Sequence, residues 1–309
     1  MESSTQGPQA LGILAAFDFS ACAQHGAKVA SALATRLALP LTLLHIVDDE
    51  VVGLLDSVFD HGESVETAWG LCETAEITIR EWAQAQQISA RSEAQLAHPL
   101  EAILEAAEHA ELLVLGRTGH LPAAAGVSAM ALQCVRRASC DVLLVGDGLP
   151  QPALEARRVA VVAVDTIPNA PELVRRATRW LGASLAIDIV HVYRPPWRAA
   201  DNEAGVPLAD DERARLVAQQ QRDLEQLVAR ALPSLPDKAA VSVHAIAAES
   251  VVGGLLRYVS ARQPDLLVVG RRGRRRLRDV LLGTVAERLN SAAPCNVLTI
   301  GHLSPIEHD

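Results

Sequence analysis

The stretch LLVVGRRGRRRLRDVLLGTVAERL, residues 266–289, contains the most informative spacing in the chain. An apolar run ends at Gly270, Gly273 follows, and after nine further residues come Gly283 and Thr284. Glycine lets the backbone turn tightly and approach a ligand closely, and the N–H groups of such a turn can hold an anion. The stretch is therefore either a phosphate-binding loop or a basic surface loop.

The residues after Gly283 are helical in pattern, and this spacing alone leaves two interpretations open. Thr284 is placed to cap the helix or to offer its hydroxyl to a phosphate, and Glu287 completes the spacing of a capping box. In the plainer interpretation Gly270 only ends a strand and Thr284 only caps a helix. A bare G-x-x-G is a weak signal, which the G-T at a fixed distance strengthens.

The chain reads as one unit used twice. Four apolar segments of the first half recur in the same order in the second, and the matched pairs are 11–20 with 158–167, 41–49 with 185–196, 112–120 with 266–274, and 138–147 with 293–302. Strands alternating with helices predict a parallel sheet. We therefore expect two tandem doubly wound α/β domains, residues 9–147 and 156–302, each a five-stranded parallel sheet with helices on both faces.

The predicted strand ends carry the residues of interest. Asp18 and Asp165 close the first strand of each half, and an aliphatic residue follows His45 and His191 near the end of the second strand. Ligands of such sheets bind beyond the carboxyl ends of the strands, where the strand order reverses. We expect these residues and the glycine loop to converge on one crevice in each half.

Together, these motifs resemble the universal stress protein family in its tandem two-domain form, over about residues 9–302. The nucleotide-binding branch of that family carries G-x2-G-x9-G-[ST] after a hydrophobic strand, which the second half matches in full. The resemblance implies an adenine nucleotide alpha hydrolase-like fold and ATP or AMP as ligand, with Mg²⁺ able to accompany ATP. The nucleotide-binding residues that it implies are Ala163, Asp165, Val192, Val269, Gly270, Arg271, Gly273, Gly283, Thr284 and Val285.

The first half departs from the family pattern. Counted back from Cys140, the G-[ST] positions are occupied by Ser128 and Ala129, and the loop is one residue shorter. We expect a degenerate second site, which can serve as a scaffold or bind an apolar ligand. Its candidate residues are Asp18, Ile46, Gly116, Gly119 and Ser128.

Other residue patterns exclude several functions. A net charge of −9 and 3% aromatic residues argue against general nucleic-acid binding. Of the loop arginines, we expect one or two to contact phosphate and the rest to face water; they are Arg271, Arg272, Arg274, Arg275, Arg276 and Arg278. The scattered cysteines and histidines form no metal pattern, so we expect core cysteines and a shared structural role for His45 and His191.

The sequence shows no hydrolytic machinery of a known type. A Walker lysine, a nucleophile elbow and the kinase motifs are all missing. We expect at most slow ATP hydrolysis or autophosphorylation, and no catalytic residue is assigned.

Two hypotheses about function remain. The first is a cytoplasmic stress-response regulator in which ATP or AMP in the second half tunes conformation or partner binding; the chain shows neither a signal peptide nor an apolar run of membrane-spanning length. The alternative is a non-nucleotide interaction or scaffold protein of the same fold. The last strands, DVLLVG and NVLTIG, can pair as an intrachain pseudo-dimer, and the sequence leaves open whether two chains form a homodimer.

Overall fold

The computed structural model describes residues 12–50, 64–119, 127–146, 158–164, 170–181, 185–194, 210–231, 240–271 and 284–301. The chain divides into two compact units, of which one comprises residues 1–123 and 128–147 and the other residues 124–127 and 148–309. Every strand pairing within each unit is parallel, which confirms the predicted fold class.

The first unit alternates strands and helices along the chain. Its strand order is β3-β2-β1-β4-β5. The elements are β1 (Gly12–Ala16), α1 (Ala21–Leu37), β2 (Leu41–Asp48), α2 (Ser64–Ala85), β3 (Arg91–Ala97), α3 (Pro99–Ala107), β4 (Ala110–Gly116), α4 (Ala129–Arg137) and β5 (Asp141–Val145).

The second unit repeats this topology. Its strand order is β8-β7-β6-β9-β10. The elements are β6 (Arg158–Ala163), α5 (Ala170–Leu181), β7 (Leu185–Tyr193), α6 (Asp210–Ala231), β8 (Ala240–Ala247), α7 (Val251–Arg262), β9 (Leu266–Gly270), α8 (Thr284–Ala292) and β10 (Asn296–Ile300).

The inner strands are apolar because helices cover both faces of each sheet. When every crossover is right-handed, the direction of the strand order decides which face of the sheet a connecting helix covers. Helices that connect strands in one direction lie on one face, and helices that connect strands after the order reverses lie on the other. Consistent with this rule, α3 packs against α4, and α7 packs against α8. Strands buried on both faces read as continuous apolar runs, and the segments 112–115 and 266–269 are fully buried.

One buried polar pair joins α8 to β10. Asn290 and Thr299 are both fully buried. The Asn290 side-chain amide donates to the Thr299 hydroxyl at 3.0 Å and to the Ala286 carbonyl at 2.8 Å, and the hydroxyl donates back to the Asn290 amide oxygen at 3.2 Å. Counted from the matching cysteines, the first half has Val135 and Leu144 at these positions, both buried. The same site is thus filled by an apolar pair in one unit and by a polar pair in the other.

We predict that Asn290 and Thr299 are energetically coupled. Asn290→Val leaves the buried Thr299 hydroxyl without its partner, so the free energy of unfolding should fall by about 2 kcal/mol. The double variant Asn290→Val/Thr299→Val removes both polar groups and should lie within about 1 kcal/mol of the wild type. Urea unfolding of Asn290→Val, Thr299→Val and the double variant measures the coupling. A loss of unfolding free energy in the double variant equal to the sum of the losses in the two single variants would contradict it.

Both units protect the outer strand of the sheet with a helix side chain. Gln221 of α6 donates to the Val243 carbonyl at 2.6 Å and accepts from the Ala245 N–H at 2.7 Å, as a neighbouring strand would. In the first unit Glu76 of α2 accepts from the Ala94 N–H at 3.2 Å. An open strand edge is a template for pairing with another chain, and these side chains occupy part of it.

Removing the Gln221 contact should open the edge locally. In Gln221→Ala the Ala245 amide loses its acceptor, and its hydrogen exchange should speed up about fivefold, which corresponds to about 1 kcal/mol for one hydrogen bond. Gln219→Ala is the matched control because the Gln219 side chain bonds within its own helix, to Asp223 and Arg222, and not to the strand. Equal exchange rates at Ala245 in both variants would contradict the assignment.

Candidate functional site

The strand order reverses between β1 and β4 in the first unit and between β6 and β9 in the second. These pairs are direct neighbours, and their carboxyl ends lie at the same edge of the sheet because all strands are parallel. At such a switch point the two following connections diverge and leave a crevice. Each candidate site therefore lies where the fold leaves room for a ligand.

A histidine fixes the end of the first strand in each unit. His45 Nδ1 donates to the Phe17 carbonyl oxygen at 2.8 Å, and His191 Nδ1 donates to the Val164 carbonyl oxygen at 2.9 Å. In the sequence, Phe17 and Val164 directly precede Asp18 and Asp165. The bonds support the predicted structural role of both histidines, since they fix the backbone where the candidate site begins.

The structure brings Asp18 and Gly119 together in the first unit. One Asp18 carboxylate oxygen accepts from the Ser20 N–H at 3.0 Å. A Cβ atom built on Gly119 would lie 2.9 Å from the other oxygen. The carboxylate therefore lies directly over the second glycine of the first-half loop.

Gly116 has a packing role in the first unit. A Cβ atom built on it would lie 3.0 Å from the Ala23 backbone nitrogen and 3.1 Å from the Cys22 carbonyl carbon. The first turn of α1 occupies that space, so a side chain would force helix and strand apart. The close packing of α1 is therefore sufficient to explain why position 116 is a glycine.

Ser128 caps α4 and closes the loop that begins after β4. Its side chain accepts from the Ala131 N–H at 3.1 Å, and its own N–H donates to the Arg117 carbonyl at 2.7 Å. Ser128 and Gly283 each lie twelve residues before the matched cysteine and directly before a nine-residue helix. In the first unit a helix-capping serine thus stands in the position of the glycine.

Aromatic side chains surround the end of β1, a feature that the sequence analysis missed. Phe17 packs against Phe19 and Trp82 with ring centroids 5.2 and 4.7 Å apart, and Phe19 lies 4.9 Å from the His45 ring. Phe19 has φ 64°, a left-handed conformation unusual for a side chain of this size. Only 3% of the residues are aromatic, yet Phe17 and Phe19 flank Asp18 in the sequence. This pattern is the signal from which the aromatic cluster could have been predicted.

The second unit brings together the ends of β6 and β9. Val162 of β6 pairs with Val268 of β9, so the predicted site residues Ala163 and Gly270 lie just beyond this pair at one edge of the sheet. Val269 and Val192 are buried, whereas Val285 in the first turn of α8 is exposed. Asp165, Gly273, Gly283, the side chain of Thr284 and the loop arginines after Arg271 lie outside the described residues.

Each unit buries an arginine directly after the first loop glycine. Arg117 and Arg271 are both 8% exposed. Their backbone N–H groups donate to the carbonyls of Val145 and Ile300, the last residues of the neighbouring strands. Arg271 was predicted to contact a nucleotide, whereas no role was predicted for Arg117. Both arginines directly follow a strand that ends in an aliphatic residue and a glycine, Leu-Gly in the first unit and Val-Gly in the second.

A charged cluster anchors α7 to β7 in the second unit. Tyr258 and Arg262 donate to the same oxygen of Asp188, at 3.0 and 2.6 Å. Asp188 is 2% exposed. Burial and the hydrogen bond to Asp188 raise the pKa of Tyr258 well above its usual value, so the phenol stays protonated and continues to donate. The cluster was not foreseen because Asp188 stands within an apolar strand pattern.

Among the residues that the structure describes, the remaining chemistry-bearing side chains form no second centre. Four of the five cysteines are buried, none of the five forms a disulfide, and burial raises the pKa of Cys134 to about 12. Within the described ranges, no cluster of three or more His, Cys, Asp or Glu residues could hold a metal ion. Among the helices in those ranges, none has the length and hydropathy needed to cross a bilayer.

The fold and these sites define a tandem doubly wound α/β protein whose two candidate crevices have diverged. A model of the universal stress protein family matches the chain twice, over residues 12–146 and 156–301. Because the two matches cover most of its length, the chain belongs to the universal stress protein family.

Solved structures with the same fold cover nearly the whole chain. A universal stress protein from Archaeoglobus fulgidus DSM 4304 is 16% identical with a TM-score of 0.63, and the match covers 95% of this chain and 97% of that chain. A protein of unknown function from Pseudomonas aeruginosa PAO1 is 14% identical with a TM-score of 0.59, covering 95% and 93%. These likenesses concern the fold alone. Among curated proteins there is no significant match.

Proposed function

We propose that the chain is a cytoplasmic stress-response regulator that binds ATP or AMP in its second domain, residues 156–302. The observation that carries this proposal is the complete G-x2-G-x9-G-T fingerprint placed between two described elements. The strand β9 ends at Gly270, the first position of the fingerprint, and α8 begins at Thr284, its last. A glycine loop between a strand and a helix N-terminus is a common arrangement for binding phosphate.

Several described features support an adenine nucleotide as the ligand. The first N–H groups of α8 have no acceptor within the helix, and the helix dipole favours an anion at that end. The switch point places Ala163 and Gly270 at the same edge, and Val192 approaches that edge from β7. In this proposal the glycine loop and α8 hold the ribose and phosphates, while Asp165 and the aliphatic residues surround the base.

The first domain, residues 9–147, is proposed to have lost nucleotide binding. Ser128 is engaged as a helix cap, and the approach of α1 accounts for Gly116. This domain then serves as the scaffold against which the second domain acts.

Nucleotide occupancy is proposed to tune conformation or partner binding by shifting a population of states. A ligand can shift such an equilibrium only by its difference in affinity for the two states. The β9–α8 connection is the segment that would respond, because it carries the fingerprint. Catalysis beyond slow hydrolysis or autophosphorylation is not proposed.

An interaction or scaffold protein without a nucleotide is the second candidate function. The first domain favours it, since its fingerprint is replaced by a capped helix and an aromatic cluster. The intact second fingerprint speaks against it. The nucleotide content of the purified protein distinguishes the two.

We predict one bound adenine nucleotide per chain. The protein would be purified without added nucleotide and denatured, and the released compounds would be identified by chromatography. Gly283→Asp adds bulk and negative charge where the phosphate is expected, so its nucleotide content should fall at least tenfold. Millimolar ATP should stabilise an emptied wild type by about 2–3 kcal/mol if it reaches 100-fold over Kd.

Ser128→Asp is the matched control. It places the same charge at the corresponding position of the first domain, and aspartate retains the helix cap. Its nucleotide content should equal that of the wild type. Two nucleotides per chain would show that the first domain also binds, and an empty wild type that ATP does not stabilise would favour the scaffold function.

A further inference from the structure

The first turn of α7 lies against the carboxyl end of β7, and one glycine permits this approach. A Cβ atom built on Gly254 would lie 2.8 Å from Val192 Cγ1 and 2.9 Å from the Ala248 Cβ. Contacts this short are excluded for real side chains, because carbon atoms repel strongly well inside 3.5 Å. The Val192 side chain and the Ala248 Cβ atom therefore occupy the space that any residue other than glycine would need at position 254.

The preceding glycine has no such constraint. A Cβ atom built on Gly253 would meet nothing nearer than the Ser250 Cβ at 3.7 Å, which is an ordinary contact. Two consecutive glycines at the start of one helix share the same loss of helix propensity. They differ only in their surroundings, so the requirement at Gly254 comes from Val192 of β7 and from Ala248, which follows β8.

The helix α7 cannot easily move away from β7. At its far end Tyr258 and Arg262 donate to the buried carboxylate of Asp188, which lies within β7. Moving the helix outward would stretch hydrogen bonds to a buried charge, which is costly. A residue larger than glycine at position 254 should therefore displace Val192.

The first unit fills the same place differently. His98 and Ser250 are the N-cap residues of α3 and α7, so Ala102 corresponds to Gly254. The histidines that bond to the β1 and β6 ends make Ile46 the counterpart of Val192. Both side chains are one carbon larger in the first unit.

We infer that Gly254 is a positioning residue for nucleotide selection: by leaving room for Val192 it sets the wall of the pocket for the adenine base. This inference rests on the proposed nucleotide site, in which Val192 contacts the base. Gly254 does not itself contact the ligand, and its effect on the ligand comes from the position of Val192. It acts on the base and leaves the phosphate contacts of the glycine loop unchanged.

Nucleotide affinities of the full chain and its Gly254→Ala and Gly253→Ala variants test the inference. Calorimetry would measure Kd for ATP and for inorganic tripolyphosphate, which reaches only the phosphate contacts. Gly254→Ala should weaken ATP binding about tenfold, the effect of overpacking by one methyl group, and change tripolyphosphate binding less than about twofold. Gly253→Ala should bind both ligands as the wild type does and melt about 2 °C higher.

A second variant covers the case in which Gly254→Ala does not fold. Val192→Ile enlarges the same wall from the strand side and introduces the residue of the first unit, and it should weaken ATP binding in the same selective way. Equal ATP affinity in the wild type and the folded variants would overturn the role of Gly254 while nucleotide binding stands. Equal losses for ATP and tripolyphosphate would overturn it as well. A wild type that binds no ATP would remove the proposed function itself.

Discussion

The arrangement of both candidate sites depends on one hydrogen bond in each unit, from a histidine of the second strand to the last carbonyl of the first. Phe17 and Val164 still donate to the sheet through their N–H groups, to Leu44 and Val190. Their carbonyls lie beyond the last sheet pairing, and a buried carbonyl without a donor is costly. The histidine supplies that donor and thereby fixes the direction in which the chain leaves the strand.

From this common frame the two units diverge in what fills the crevice. In the first, aromatic rings gather around the end of β1, Asp18 lies over Gly119, and a serine caps the helix that follows. In the second, the described ends of β6 and β9 carry small residues, and the fingerprint lies between β9 and α8. Duplication preserved the backbone hydrogen bonds, whereas the side chains at the strand ends were free to change.

The fold followed from the sequence because its signal is local. Buried parallel strands read as apolar runs such as 266–269, and the internal repeat gave their order twice. The site was harder to predict. Asp18 and Gly119 come from distant segments yet converge by topology, as expected. The Asp188 cluster and the requirement for Gly254 were missed, because each depends on how closely a helix approaches a strand, and residue spacing carries no such distance.

The buried polar contacts favour the second unit as the one with a fixed crevice. Asp188 with Tyr258 and Arg262 holds α7, and Asn290 with Thr299 holds α8; these two helices flank the predicted site. The corresponding positions of the first unit include Val135 and Leu144, which pack without hydrogen bonds. An apolar pair can shift at little cost, whereas a displaced polar partner leaves an unsatisfied buried atom. Such contacts add little net stability and restrict movement, which a site that selects its ligand by shape requires.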